Sequence, residues 1–289
     1  MKRIPVAERS DLEGLIEFSQ KYPWRPQYPS SLARRFLTEL ISDRNLIFDL
    51  HDQRGRVSSA VLLDKVSNPA NDACLEILSM RPDADSSAVL AQFIALAKRN
   101  LPKGKSGAQV GWSEVTALSD EFLSDHGLKK HYDTYEMRAE LGHSQPSVLS
   151  EIVAATIEDR DKIYELLCIS LADNPEASVP DARSWKSNFL KSPGSYFFIW
   201  KSGGEFNGFA NLATEGDGEA EVRTIGVLPQ ARGSGVGSKL LNHCLHKAKS
   251  LGAMHCYLTV AVANQTALGI YLRAGFETIE KFRCYRFIS

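Results

Sequence analysis

Two hydrophobic rhythms run along the chain, and their order repeats. The segments "NLIFDLHDQRGRVSSAVLL" (45–63) and "SYFFIWKSGGEFNGFANLA" (195–213) each join two apolar, strand-like runs across a glycine-bearing turn, which predicts a β-hairpin in both places. "ACLEILSMRP" (73–82) and "AEVRTIGVLP" (220–229) read as further strands, followed by stretches with helical spacing of apolar residues at 86–99 and 236–250. "VAERSDLEGLIEFSQ" (6–20) and "ATIEDRDKIYELLCIS" (155–170) both begin with an acidic, arginine-containing lead-in and an Asp suited to helix capping. "FLSDHGLKKHYDTYEMRAEL" (122–141) and "IYLRAGFETIEKFRCYRFIS" (270–289) share the sequence helix, glycine stop, long strand.

Matched in this way, the chain is an internal repeat of about 150 residues. Each half predicts a strand, two helices, a hairpin, then strand, helix, strand, helix and strand. That order belongs to the α/β (α+β) class: two tandem mixed β-sheet domains flanked by helices. The polar, turn-forming "GHSQPSVLS" (142–150) reads as the linker between domains expected at 1–141 and 151–289.

Composition narrows the field without choosing within it. With 43% hydrophobic and 24% charged residues over 289 positions, the chain is expected to be globular. Its apolar runs fall short of the roughly 20 residues of a spanning helix, and "MKRIPVAERSD" lacks the apolar core of a secretion signal, so a cytoplasmic location is expected. A net charge of −1 offers no bulk attraction to nucleic acid or anionic lipid. The five cysteines are scattered with no C-x-x-C pair and read as reduced thiols. His243 and His246 lie three apart on one predicted helix, but with no carboxylate or cysteine partner nearby no metal is expected.

"QARGSGVG" (230–237) is the first stretch to carry chemistry. A glycine-rich loop between strand and helix aims several backbone N–H groups in one direction at the positive end of a helix, and so suits a phosphate or pyrophosphate; it also serves as a plain tight turn. The dinucleotide fingerprint fails because its third glycine would fall on Ser238, and a P-loop counted from Gly233 fails at the same residue.

The segment resembles motif A of the GNAT superfamily of N-acetyltransferases, Gln/Arg-x-x-Gly-x-Gly/Ala, through Gln230, Gly233 and Gly235, with Arg232 and Gly237 at favoured places. In that family the loop holds the pyrophosphate of coenzyme A. The resemblance therefore implies acetyl-CoA as co-substrate, held by Gln230, Arg232, Gly233, Ser234, Gly235, Val236, Gly237 and Ser238. "LTVAVANQTALGIYLRAGF" (258–276) looks like the family's second signature, a strand followed by Asn264, Ala267, Tyr271 and Gly275-Phe276. Asn264 and Tyr271 are seven residues apart and share a helix face. Each also has a plainer reading, Asn264 as a cap and Tyr271 as a half-buried aromatic. The likeness covers 152–288; the first half matches only in element order.

Acetyl transfer to an amine needs a route for the amine's proton, donors for the tetrahedral oxygen and a proton for the departing thiolate. Family resemblance places Glu221 where some members carry a general base, with Arg223 two residues along to hold it ionised or simply to pair with it. It places Ile225 and Val227 against the acetyl and pantetheine, with Gly226 between them permitting a local strand distortion. Tyr271 would be the proton donor. Cys256 reads as a core thiol. At the matching places of the first half stand Asp83, Asp85, Ser86 and Ala88, and Leu123 in place of Tyr271, so that half reads as a degenerate GNAT-like copy. The expected acceptor is a primary amine of unknown identity, with the acids Asp173, Glu176 and Asp181 suited to a cation. The alternatives left open are a non-catalytic acyl-CoA sensor or an acyltransferase for a longer acyl group.

Overall fold

The computed structural model describes residues 2–4, 17–18, 21, 46–51, 54, 57–64, 72–100, 107–113, 119–142, 151–172, 179–180, 182–190, 194–214 and 218–288. Most of the helix expected at 6–20, the linker from 143 to 150, and Asp173, Glu176 and Asp181 lie outside them. The strands are β1 (Lys2–Ile4), β2 (Leu46–His51), β3 (Val57–Asp64), β4 (Asp72–Met80), β5 (Gly107–Ser113), β6 (Leu128–Glu140), β7 (Ile152–Ala154), β8 (Ser195–Ser202), β9 (Glu205–Thr214), β10 (Glu219–Val227), β11 (His255–Ala261) and β12 (Glu277–Ile288). The helices are α1 (Ser86–Asn100), α2 (Asp120–Asp125), α3 (Arg160–Leu171), α4 (Ala182–Asn188), α5 (Val236–Ser250) and α6 (Gln265–Arg273). Among the described residues no helix is long and apolar enough to cross a membrane.

The chain divides into two compact units. One comprises Met1–Asp133 with Phe282–Ser289, the other Thr134–Lys281. The first holds β1, β2, β3, β4, β5 and the end of β12 in that order, antiparallel except for the parallel pair β4–β5. The second has the corresponding order β7, β8, β9, β10, β11 and the end of β6, with β10–β11 as its parallel pair. The units do not coincide with the two halves of the chain: each half supplies the last strand of the other half's sheet. Thr134–Glu140 pair with β11, and Phe282–Ile288 pair with β5. The cause is length. At 13 and 12 residues, β6 and β12 run about twice the usual span, so each begins in one unit and ends in the other. In the first unit the exchanged strand is also fixed by side chains: Tyr285 Oη donates to Asp120 Oδ1 at 2.8 Å, and Arg283 Nη1 donates to the same oxygen at 3.0 Å.

In the second unit both sheet faces are covered, which explains why β8 is buried without interruption from Phe197 to Trp200. Phe198 and Trp200 join Ala210, Leu212, Leu240, Leu241 and Cys244 on the α5 side. Phe197, Ile199 and Phe209 pack on Ile163, Leu166, Leu167 and Phe189 on the α3 side. Both helices form because their apolar residues recur at helical spacing, Ile163, Leu166 and Leu167 in α3 and Val236, Leu240, Leu241, Cys244 and Ala248 in α5.

A chain ending at Lys281 loses the β5–β12 ladder but keeps β11 paired on both sides. Amide exchange across Gly107–Ser113 is expected to accelerate by about tenfold or more while His255–Ala261 stays protected, measurable by hydrogen exchange with mass spectrometry.

Candidate functional site

The site begins with an extra residue in β10. Val222 pairs with Leu212 and Thr224 with Asn211, so Arg223 has no opposite number on β9. This bulge resets the alternation of side chains. Before it, Ala220 and Val222 face the α5 side; after it, Ile225 and Val227 do. Strict alternation would instead have put Glu221, Ile225 and Val227 on one face. The strand distortion expected at Gly226 thus lies at Arg223, and Gly226 is needed for a different reason. A Cβ there would stand 2.3 Å from the ring of Phe209 and 2.5 Å from Ser170 Oγ. Past the bulge the strands part as well: parallel pairing covers only Glu219–Glu221 against His255–Tyr257, although both strands continue.

Into this fork points the N-terminus of α5. Gly233 and Gly235 have φ of +78° and +83°, a left-handed backbone that side chains rarely adopt, and a Cβ on either would meet nothing within 4 Å. Conformation, with open space beyond it, is why glycine stands at both. Gly235 caps the helix without a side-chain hydrogen bond, and the first bond of the ladder runs from Lys239 N to Gly235 O at 3.0 Å. The preceding N–H groups of Val236, Gly237 and Ser238 therefore lack a helical acceptor, and they sit at the positive end of a 15-residue helix with no acidic residue in its first turn.

A cavity of about 640 Å³ joins these pieces. Of the expected site residues it is lined by Ile225, Val227, Arg232, Gly233, Gly235, Val236, Gly237, Ser238, Asn264 and Tyr271. Asn264 accepts from Ala267 N at 3.1 Å and so caps α6. Tyr271 makes no hydrogen bond through its hydroxyl among the described residues, and its ring centroid lies 5.9 Å from that of Phe276. Burial, with a smaller push from Cys244, raises its pKa to about 12, so it remains a proton donor throughout the neutral range. Ser170, Leu171, Thr266, Ile270 and Arg273 also line the cavity, and none was singled out from the sequence. Arg273 has the one legible signal, a cation two residues beyond Tyr271.

Other residues are placed differently. Arg232 donates through Nε to Val227 O at 3.2 Å and through Nη2 to Ser170 O at 3.1 Å, tying the glycine loop to the end of β10 and to the last turn of α3. Gln230 is exposed on the 3₁₀ turn Pro229–Ala231, and Ser234 Oγ donates to Ala231 O at 2.6 Å; neither lines the cavity. Glu221 also stands outside the lining, its carboxylate accepting from Arg223 Nε at 3.3 Å. Cys244 and Cys256 are fully buried, and burial pushes both thiols well up, which leaves them unreactive. Phe198 packs against the His243 ring at 4.5 Å; burial lowers the pKa of that imidazole, as do His246 and Lys247.

At the equivalent helix start of the first unit the amides are taken. Asp85 Oδ1 accepts from Ser87 N at 3.0 Å and Ala88 N at 3.2 Å, while Asp83 pairs with Arg81. A carboxylate of the chain itself occupies the position that α5 leaves open.

The sequence pattern of the "Acetyltransferase (GNAT) family" matches residues 160–276 of this chain. A 103-residue stretch is 36% identical to N-alpha-acetyltransferase RimI of Mycobacterium tuberculosis, covering 35% of this chain and 63% of that one. A stretch of 135 residues is 27% identical to aminoalkylphosphonate N-acetyltransferase of Salmonella typhimurium, covering 44% and 84%. In fold, 99% of the chain is similar to 94% of a GCN5-related N-acetyltransferase from Sphaerobacter thermophilus, with a TM-score of 0.69 at 15% identity. A tandem GNAT protein from the clavulanic acid biosynthesis pathway is similar over 99% of this chain and 97% of its own, with a TM-score of 0.68 at 12% identity.

Two measurements check the site. Gly226→Ala forces a methyl against the ring of Phe209, which is buried and has no room to yield, and is expected to lower unfolding free energy by about 1–3 kcal/mol in urea titrations. Tyr271 binds its proton more tightly folded, near 12, than unfolded, near 10. Its stabilising contribution is therefore complete below about pH 10 and is lost as the pH rises toward about 12. The urea midpoint is expected to fall over that interval by less in Tyr271→Phe than in the unaltered protein.

Proposed function

We propose that the chain is an N-acetyltransferase that moves the acetyl group of acetyl-CoA to a primary amine by direct attack in a ternary complex. One observation carries this reading: the glycine-capped, acceptor-free amides of α5 stand at the same cavity that Tyr271 lines. The amides of Val236, Gly237 and Ser238, with the turn at Gly233 and Gly235, suit the diphosphate. Ile225 and Val227 line the path of the pantetheine arm, and the parted edge of β10 supplies main-chain donors for the tetrahedral oxygen. The deprotonated amine forms the new C–N bond, the C–S bond breaks, and Tyr271 gives its proton to the departing sulfur. Glu221, paired with Arg223, is the group we assign to drawing protons from the incoming amine.

Labour is divided between the two units. We assign donor binding and chemistry to the second, because in the first Asp85 fills the corresponding helix start and Leu123 stands where Tyr271 would be. The first unit is then a degenerate tandem copy kept for scaffolding or acceptor recognition.

Calorimetry with acetyl-CoA and a coupled assay for free CoA across a panel of amines test this directly. The protein is expected to bind acetyl-CoA, and Gly235→Val to weaken it by about tenfold or more by removing a left-handed glycine. Tyr271→Phe is expected to cut turnover by about 10²- to 10⁴-fold with acetyl-CoA affinity largely retained. No heat with CoA or acetyl-CoA refutes the donor site; binding without CoA release for any amine refutes the transferase chemistry.

A further inference from the structure

Two positive side chains line the cavity, Arg232 and Arg273, and they differ in their engagement. The guanidinium of Arg232 is turned onto the main-chain carbonyls of Val227 and Ser170. That of Arg273 makes no hydrogen bond or ion pair among the described residues. It is exposed in the last turn of α6, and its side chain lies back along the helix, with Nη1 3.3 Å from where a Cβ of Gly269 would be. A helical side chain leans toward the N-terminus of its own helix, so residue 269, one turn earlier, is the position it crosses. Glycine there leaves room for the guanidinium to lie against the helix. Thr266, seven residues before Arg273 and on the same face, lines the cavity too. An arginine laid along a cavity wall, with its planar fork unspent, is built to meet a second anion besides the one at α5.

Coenzyme A carries two separate anionic groups, the diphosphate and a phosphate monoester on the ribose 3′ oxygen. The α5 amides suit the first. We propose that Arg273 recognises the second, so that the cavity selects CoA over its 3′-dephospho form. The inference rests on the acetyl-CoA reading above and adds to it the residue that reads the nucleotide end of the donor. Recognition is by charge and by paired N–H donation to phosphate oxygens, a contact that a lysine supplies only as a point charge.

The test is calorimetry on the full chain with CoA and with 3′-dephospho-CoA, for the unaltered protein, Arg273→Gln and Arg273→Lys. The unaltered protein is expected to prefer CoA by about tenfold, the value of one charge-assisted phosphate contact. In Arg273→Gln the preference disappears because CoA affinity falls to that of the dephospho form; Arg273→Lys restores part of it. An arginine that merely complements the negative end of α6 would change the thermal midpoint and leave the preference intact, and that result overturns the proposal. Equal binding of both nucleotides by the unaltered protein overturns it as well. Absence of binding by either refutes the donor site itself, and this inference with it.

Discussion

An unmatched residue in a central strand is the constraint on which the site depends. Arg223 interrupts the β9–β10 ladder, and beyond it the side chains of β10 exchange faces. Ile225 and Val227 turn toward α5 and α6, Gly226 toward Phe209 and α3, and the parallel ladder to β11 stops at Glu221. A regular strand would keep its edge hydrogen-bonded to β11 and leave no cleft. The bulge thus converts part of a buried sheet into a wall with main-chain groups to offer, without exposing the core on either side.

The helices complete what the bulge opens. α5 is held by a stripe from Val236 to Ala248 and therefore starts at a fixed point over the fork; α6 brings Asn264 and Tyr271 to the opposite wall. Arg232 joins the loop to β10 and α3 through carbonyls that would otherwise be orphaned at element ends. A comparison within the molecule shows how little separates a ligand site from an ordinary helix start. In the first unit an aspartate at the cap accepts its own helix's amides; in the second a glycine leaves them open.

The exchange of final strands changes what the repeat means. Halves that are alike in sequence order are not the units that pack, because β6 and β12 each finish the sheet of the other half. The second unit, which carries the cavity, depends on Thr134–Glu140 for the outer partner of β11. Any boundary drawn through the polar stretch after residue 141 cuts that dependence, and composition gives no hint of it. Strand pairing is a long-range choice, whereas linkers are recognised by local polarity.

Apolar spacing in the sequence determined the hairpins, the helices α1, α3 and α5, and their order, since helix and strand periodicity are local properties of the chain. Glycines and their spacing likewise marked the loop before α5, and the positions of Asn264 and Tyr271 on one helix face followed from a seven-residue separation. Tertiary structure alone decided which sheet receives β6 and β12, that the bulge falls at Arg223, that Arg232 is spent on carbonyls, and that Arg273 reaches the cavity. These depend on register and on contacts between residues far apart in sequence, such as Arg232 with Ser170, and no local pattern encodes such a distance.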